Sequence, residues 1–262
     1  PITTAMGNTS GVWITVAAVV AVMMLGFQLF TLLGVREDHG RFRQEPRTSV
    51  KQMFGVLFKN DQLMWTTLSM ALFMIGYCTT TGFAIYYMQY VYGNSDLYAV
   101  LAAVCGISQL AALIAFPFFS KRYGRKRLYT FATGLVVAGY VIFFFAEAGI
   151  FLVAAAAVII FVGQAFIQLL MLMFLSDTIE YGQWKLGKRN ESVTFSIQPL
   201  INKIGGALST GIISLCLVLS GIKTGDTAAE SIDDSGKLIV KYAMLLVPLV
   251  FILTGYFIYR VK

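Results

Sequence analysis

The chain has few of the residues that a water-soluble domain needs on its surface. Its 262 residues include 20 lysines and arginines, 13 aspartates and glutamates and one histidine, whereas 58% are hydrophobic. With a mean hydropathy of +0.75, too little polar surface is left to cover a core in water. The composition therefore excludes a soluble domain and predicts a membrane protein.

Cysteine and histidine are also too scarce for a disulfide framework or a metal site. The three cysteines, Cys78, Cys105 and Cys216, lie within apolar segments and are odd in number, so a disulfide framework is not expected. His39 stands without a nearby array of cysteine, histidine or carboxylate ligands. We therefore predict neither a metal site nor a bound cofactor.

Long apolar segments are what the sequence does have, and each can cross a bilayer as a helix of about 20 residues. They are apolar on every face, which excludes a transmembrane barrel with its alternating strands. The first is too long for a signal peptide and lacks its flanks. The prediction is an all-α membrane bundle with seven spans: Gly11–Leu33, Leu63–Tyr90, Leu97–Phe119, Leu128–Ala146, Ile150–Leu175, Val193–Ile222 and Leu238–Tyr259.

The basic residues predict the orientation of these spans. Loops on the cytoplasmic side of a membrane retain lysine and arginine, and most of the basic residues fall on one side: Arg36, Arg41, Arg43, Arg47, Lys51, Lys59, Lys121, Arg122, Arg125, Lys126, Arg127, Lys185, Lys188, Arg189, Arg260 and Lys262. We therefore expect residue 1 outside and the C-terminus in the cytoplasm. The net charge of +7 then reflects topology rather than binding to nucleic acid.

The odd number of spans, a first residue that is Pro1 and a long charged loop after the first span predict the back part of a longer protein. Within that loop, residues 49–59 are amphipathic, with Val50, Met53, Phe54, Leu57 and Phe58 on one side. Two interpretations stay open. The stretch is a helix along the cytoplasmic surface that ties two halves of a bundle together, or an ordinary linker with an apolar patch.

Lys203 is the most informative polar residue within the spans. A lysine near mid-membrane costs about 2.5 to 3.5 kcal/mol, and none of the seven runs contains a carboxylate to pair with it. Gln198 and Asn202 lie four apart with Lys203 adjacent, which suits a hydroxyl-rich ligand. We therefore favour a ligand cavity over a snorkelling or assembly role. Tyr77 and Gln168 are further cavity candidates, with hydrogen bonding to a neighbouring helix as the alternative.

A dense polar segment, residues 176–192, follows the fifth span. Asp177 and Glu180 lie one turn apart near a helix C-terminus, where the helix dipole disfavours carboxylates, so they need basic partners. Arg122, Arg125 and Lys126 in the preceding connection are the candidates. Ion pairs between such loops could hold a gate shut, whereas a merely solvated loop is the alternative.

Three motifs in this region occur in succession: Ser176-Asp177-Thr178-Ile179-Glu180-Tyr181-Gly182, Lys185-x-Gly187-x-Arg189-x-Glu191 and Phe195-Ser196-x-Gln198-x4-Lys203. Together they resemble the glycoside-pentoside-hexuronide:cation symporters, which include melibiose and lactose permeases. Residues 59–63 and 120–126 look like further features of that family, so the resemblance covers essentially the whole chain. It is nearest to the lactose, galactose and raffinose permeases of lactic-acid bacteria.

The resemblance implies a twelve-helix fold of the major facilitator type, of which this chain supplies helices six to twelve. Residues 1–34 would be the last helix of the N-terminal half, 35–62 the central cytoplasmic loop and 63–262 the six-helix C-terminal half. The implied function is sugar:cation symport by alternating access in a bacterial cell membrane, with Na⁺ or H⁺ as the coupling cation and no enzymatic reaction. Its partners are the sugar, membrane lipid and the missing N-terminal half, whose carboxylates would supply most of the cation site.

The resemblance also assigns roles to residues. The sugar and ion cavity would include Lys203, Gln198, Asn202, Gln168 and Tyr77. The cytoplasmic gate and coupling loop would comprise Asp177, Glu180, Tyr181, Lys185, Lys188, Arg189 and Glu191, with Arg122 and Arg125 as partners. Two positions depart from the family pattern: Lys188 replaces the histidine of the lactose-permease type, and Pro199 replaces the threonine of the melibiose type.

Two other functions fit seven spans less well. A retinal-type protein or receptor fits the count and the external N-terminus, but a retinal lysine belongs on the last span with a carboxylate counter-ion. An ion channel requires a filter-like repeat or a charged ring, and the sequence has neither.

Overall fold

The computed structural model describes residues 9–35, 50–146, 149–222 and 232–261, with the side chains of residues 50–53 excepted. Predictions about the polar loop from Arg36 to Arg47, about His39 and about Lys223 therefore lie outside the described residues. Within the described ranges the chain forms helices and no strand. The helices are α1 Ser10–Gly34, α2 Val50–Lys59, α3 Asp61–Tyr86 with a π-helical continuation Tyr87–Val91, α4 Leu97–Tyr123, α5 Arg125–Phe145, α6 Ile150–Leu186, α7 Glu191–Leu219 and α8 Asp234–Val261.

Seven of these helices, all except α2, are long and apolar enough to cross a membrane. The predicted all-α membrane fold with seven spans is therefore confirmed. The largest difference between a predicted and an observed helix end is at α6, which runs to Leu186, well past the apolar run that ends at Leu175. Its polar extension ends at Gly187, where φ is 69° and the amide N–H donates to the Gln183 carbonyl over 3.0 Å. A glycine in this left-handed conformation is a common helix end.

The chain divides into two compact units, residues 1–47 and 48–262. In the first unit, α1 has no buried residue and is apolar on every side. A helix that is hydrophobic all round is stable only in lipid or in the middle of a bundle. Such a helix is consistent with a transmembrane span.

The second unit is built around α3, which contacts α6, α7 and α8. Its packing on α8 is close because Gly76 has no side chain: a Cβ there would lie 2.9 Å from the Pro248 carbonyl oxygen. Two turns further along the interface, Ser69 Oγ donates to the Gly255 carbonyl over 2.8 Å. Small residues that bring backbones together are the usual basis of helix packing in membranes.

Helices α5 and α6 pack in the same way. A Cβ on Gly139 would lie 3.1 Å from the Ala156 carbonyl oxygen, and one on Gly163 would lie 2.8 Å from the Ala132 carbonyl oxygen. Helix α4 packs on α6 through larger groups, including an edge-to-face contact between the rings of Phe116 and Phe166, whose centres are 5.6 Å apart. The unit is therefore held together by small-residue contacts between backbones and by aromatic contacts.

The amphipathic stretch predicted after the first span forms helix α2. Leu57 is partly buried against the core of the second unit, as is Val56. Phe54 and Phe58 are 51% and 68% exposed, so these two side chains point away from that core. The side chains of Val50 and Met53, which the sequence places on the same side, lie outside the described residues.

Candidate functional site

Helix α7 has three different sides. Its buried residues recur every four positions, at Val193, Ile197, Ile201, Gly205 and Ser209, and form the side packed on the rest of the unit. The packing on α3 is close, because a Cβ on Gly205 would lie 2.9 Å from the Met74 Cβ. The other two sides of α7 hold none of its buried residues.

The second side of α7 is an exposed apolar ridge. Its residues are Leu200, Ile204, Leu208, Leu215 and Val218, which are 43 to 72% exposed. These side chains need no polar partner, so contact with lipid tails satisfies them.

The third side carries Lys203. This residue lies two positions after the buried Ile201 and so about 200° further round the helix. Ser196, Thr210 and Ser214 share this side at spacings of seven and four, and we call the four residues the Lys203 stripe. Lys203, Thr210 and Ser214 are exposed. An ammonium group with hydroxyls above and below it is costly against lipid, so this side requires water, a ligand or a polar partner.

Lys203 makes no hydrogen bond or ion pair within the part of the chain that the structure describes. Asn202 is also exposed, and Gln198 is partly buried. Gln198 lies five residues before Lys203 and Asn202 one residue before it, which correspond to about 140° and 100° of rotation round the helix. Both amides therefore lie on the edge between the packed side and the Lys203 stripe. The three residues therefore line one side and its border rather than a single face.

The remaining cavity candidates lie away from α7. Tyr77 in α3 accepts a hydrogen bond from Gln109 Nε2 at 3.5 Å and stacks on Phe73. Gln168 in α6 is partly buried, and its Nε2 has no hydrogen-bond partner among the described residues. The structure does not bring Tyr77 or Gln168 into the Lys203 stripe.

A buried polar group that the sequence analysis did not assign to the site lies between α3, α5 and α6. Thr80 Oγ1 and Tyr140 Oη share a hydrogen bond, and the Gln164 side chain lies beside this pair. Gln164 is fully buried, and neither its Oε1 nor its Nε2 makes a hydrogen bond of good geometry to another described residue. A glutamine within an apolar run was the available signal for this group.

Ion pairs cluster at the end of the unit where α3, α5 and α7 begin, which we call the basic end. Arg125, at the start of α5, pairs with Asp177 in α6. Arg189 pairs with Glu191 across the α6–α7 connection. Of the two arginines predicted to meet Asp177, only Arg125 does so, since Arg122 lies over the Tyr123 ring at 5.8 Å.

Lys185 has a partner that the sequence analysis did not identify. Its Nζ lies 2.7 Å from Oδ1 of Asp61, the first residue of α3. The same ammonium group lies 5.6 Å from the centre of the Tyr181 ring, which also contacts Trp184. The pair thus joins the end of α6 to the start of α3.

Asn60 completes this junction. Its Oδ1 accepts a hydrogen bond from the Leu63 amide at 3.0 Å, which caps α3, and its Nδ2 donates to the Thr178 carbonyl over 2.9 Å. A Cβ on Gly182 would lie 2.7 Å from Asn60 Nδ2, so only glycine leaves room for this amide. In the sequence, an asparagine directly before a helix was the signal that could have identified Asn60 as a helix cap.

Two further predicted gate residues make no ion pair in the described ranges: Glu180 and Lys188 are both exposed at the basic end. The contacts that do form there connect α3, α5 and α6 of one unit. They therefore stiffen the basic end of that unit, and a movement of the whole unit leaves them intact.

The comparison with known proteins assigns the family. Residues 1–261 match the family described as MFS/sugar transport protein. The chain belongs to this family. The resemblance inferred from the motifs is thereby confirmed, and so is the prediction of a transport protein rather than an enzyme. Membership also favours transport over a receptor, a retinal protein or a channel.

Three relatives have names that state a transported compound. The chain is 32% identical over 98% of its length to a lactose permease of Lactobacillus delbrueckii subsp. bulgaricus, and covers 41% of that protein. It is 32% identical over 95% of its length to a raffinose carrier protein of Pediococcus pentosaceus, covering 39% of it. A glucuronide carrier protein homolog of Escherichia coli is 27% identical over 79% of the chain. The chain thus spans about two fifths of the first two relatives.

Proposed function

We propose that the protein transports a galactoside or related glycoside together with Na⁺ or H⁺, by alternating access, across a bacterial cell membrane. The observation that carries the proposal is the Lys203 stripe, a polar side of α7 that holds none of the helix's buried residues and whose lysine pairs with no described residue of its own unit. The relatives named as lactose permease and raffinose carrier support a sugar as the substrate. Basic loops favour the cytoplasmic side, so the basic end would face the cytoplasm and residue 1 the outside.

The Lys203 stripe would bind the sugar. Hydroxyls of Ser196, Thr210 and Ser214 and the amides of Gln198 and Asn202 can exchange hydrogen bonds with sugar hydroxyls. Tyr77 and Gln168 would contribute from α3 and α6 at the margin of the cavity. No covalent step or bound cofactor is required.

The coupling cation would bind beside Lys203. The described spans offer no carboxylate to the ammonium group, so the carboxylates would come from the N-terminal half of the whole permease, with α1 as its last helix. Opposite charges attract strongly in a low-dielectric site. Binding of a cation by those carboxylates changes their pairing with Lys203, and this change gives the cation and the sugar a way to affect each other's affinity.

The basic end would form the cytoplasmic gate and the coupling loop. Asp177, Glu180 and Tyr181 would belong to the gate with Arg122 and Arg125. The coupling loop, with Lys185, Lys188, Arg189 and Glu191, runs from α6 directly into the helix that bears Lys203. Since Asn60 and the two ion pairs tie α3, α5 and α6 together, the C-terminal unit would rock as one body against the N-terminal half.

Uptake by vesicles that contain the whole protein tests this proposal. Labelled galactosides and xylosides would be offered under separately imposed sodium and proton gradients. We expect Lys203→Ala to insert normally and to lose gradient-driven accumulation.

Lys237→Ala is the matched control, because among the described residues this lysine pairs with the exposed Asp234 at 3.3 Å, at the end of the unit opposite the basic end. It should accumulate sugar as the unchanged protein does. Full accumulation by the Lys203→Ala protein would contradict the role given to the Lys203 stripe. Accumulation that depends on neither gradient would contradict symport itself.

A further inference from the structure

A basic pocket lies at the turn between α4 and α5, away from the Lys203 stripe. Its volume is about 410 Å³, and its lining includes Arg125, Lys126 and Arg127. It adjoins a second, apolar cavity of about 320 Å³, lined by Phe119, Leu128 and Phe131 among others. Tyr123 and Arg127 line both cavities, so they form one site with a polar end and an apolar end.

The polar end has an excess of positive charge. Asp177 is the one carboxylate in its lining, and Arg125 is paired with it. Lys126 and Arg127 are exposed, and no described carboxylate lies within ion-pairing distance of either. The dipole of α5, which starts in this pocket at Arg125, adds potential of the same sign. The pocket therefore favours an anion.

The apolar end opens on the outside of the bundle. Phe119 is 38% exposed and Phe131 is 53% exposed, although both lie on membrane-spanning helices. Hydrocarbon is what surrounds such positions in a membrane. A molecule that fills both cavities must combine a negatively charged head with a hydrocarbon tail.

We infer that this site binds a phospholipid with an anionic headgroup. Its phosphate would lie against Lys126 and Arg127, and one acyl chain would occupy the groove between Phe119, Leu128 and Phe131. Basic pockets between membrane helices are known places for anionic headgroups. The inference goes beyond the proposed transport function, because it uses none of the residues that would bind sugar or cation.

Native mass spectrometry of the purified, detergent-solubilised protein tests the inference. Phosphatidylglycerol would be titrated against phosphatidylcholine of the same chain length. The unchanged protein should retain phosphatidylglycerol preferentially. Lys126→Gln and Arg127→Gln should each weaken that binding about fivefold, the effect of removing one cation near an anionic headgroup. Lys59→Gln removes the same charge from the exposed end of α2, which lines neither cavity, and should leave the binding unchanged.

Two further measurements separate the lipid from other occupants. Phe131→Ala should weaken binding of long-chain phosphatidylglycerol and spare a short-chain form, while thermal unfolding shows that the protein remains folded. Inorganic phosphate at equal concentration should not displace the lipid. Equal losses in Arg127→Gln and Lys59→Gln would overturn the inference, and so would full displacement by inorganic phosphate.

Discussion

Single residues at the basic end differ greatly in what they contribute to stability, although several are polar and lie close together. Asn60 is 2% exposed and makes one hydrogen bond within its own helix and one to α6. The Asp61 and Lys185 side chains are about half exposed, at 47% and 37%. Burial makes the loss of a hydrogen bond expensive, whereas water and salt weaken an exposed ion pair.

Replacing Asn60 by alanine should therefore destabilise the protein clearly. The substitution removes the cap of α3 and the buried hydrogen bond from Asn60 to the Thr178 carbonyl of α6, for a combined cost of about 1 to 3 kcal/mol. Thermal unfolding in detergent would measure the effect. Asn94→Ala is the control, because Asn94 is exposed and accepts a single local hydrogen bond from the Asp96 amide at 3.0 Å. Similar shifts for both variants would refute the role given to Asn60.

Lys185→Gln, in contrast to Asn60→Ala, should hardly change the stability of the protein. An exposed ion pair contributes about 0 to 1 kcal/mol, so the unfolding temperature should change little. If Lys185 also acts in coupling, as proposed, gradient-driven sugar accumulation should fall while sugar binding persists. Asp61→Asn breaks the same pair from the other side and separates the two roles. Loss of accumulation in both variants assigns the effect to the pair, and loss in Lys185→Gln alone assigns it to the lysine.

At the scale of helices, close packing depends on which glycines face a neighbour. Helix α5 contains two glycines five residues apart. Gly139 faces α6, where a Cβ would meet the Ile160 amide nitrogen at 3.0 Å, whereas no heavy atom lies within 4 Å of a Cβ on Gly134. The composition of α5 does not distinguish them, but the packing does.

Alanine at these two positions should have effects of opposite sign. Gly139→Ala forces the backbones of α5 and α6 apart and should destabilise the unit by about 1 to 3 kcal/mol. Gly134→Ala meets open space and should be neutral or stabilise the helix by up to about 1 kcal/mol. Unfolding of the two variants side by side gives the answer, and destabilisation by Gly134→Ala would show that this face is covered after all.

Helices and single polar residues were predictable from the sequence to different degrees. The seven spans follow from the apolar runs, and Lys203 is conspicuous within one of them. The end of α6 was placed too early, since an apolar run shows only the part that lipid can cover, and the helix continues to Gly187. The Lys185 and Asp61 pair joins residues 124 apart. No local pattern contains such a contact, whereas Arg125 and Asp177 were paired in advance from their charges.

At the scale of the whole molecule, the division into two units decides whether the ion pairs at the basic end lie within one unit or between the two. From the sequence, ion pairs around Asp177 were predicted as a gate between loops, with a solvated loop as the alternative. In the structure they connect helices within residues 48–262. These pairs join helices of a single compact unit, so a rotation of that unit as one body would leave them intact, and the proposed gate would open through contacts between the basic end and the rest of the whole protein.

Orientation in the membrane is the last property of the whole molecule that can be tested directly. Basic residues are retained in the cytoplasm, so the end with Lys188 should face inward and the α3–α4 turn with Asn94 should face outward. In intact cells, a membrane-impermeant maleimide should label Asn94→Cys and spare Lys188→Cys. Inverted vesicles should reverse the pattern. The unchanged protein is the control, because Cys78, Cys105 and Cys216 lie within spans and should react little. Labelling of Lys188→Cys in intact cells would show that the orientation is the reverse of the predicted one. The sugar would then reach the Lys203 stripe from the opposite side of the membrane.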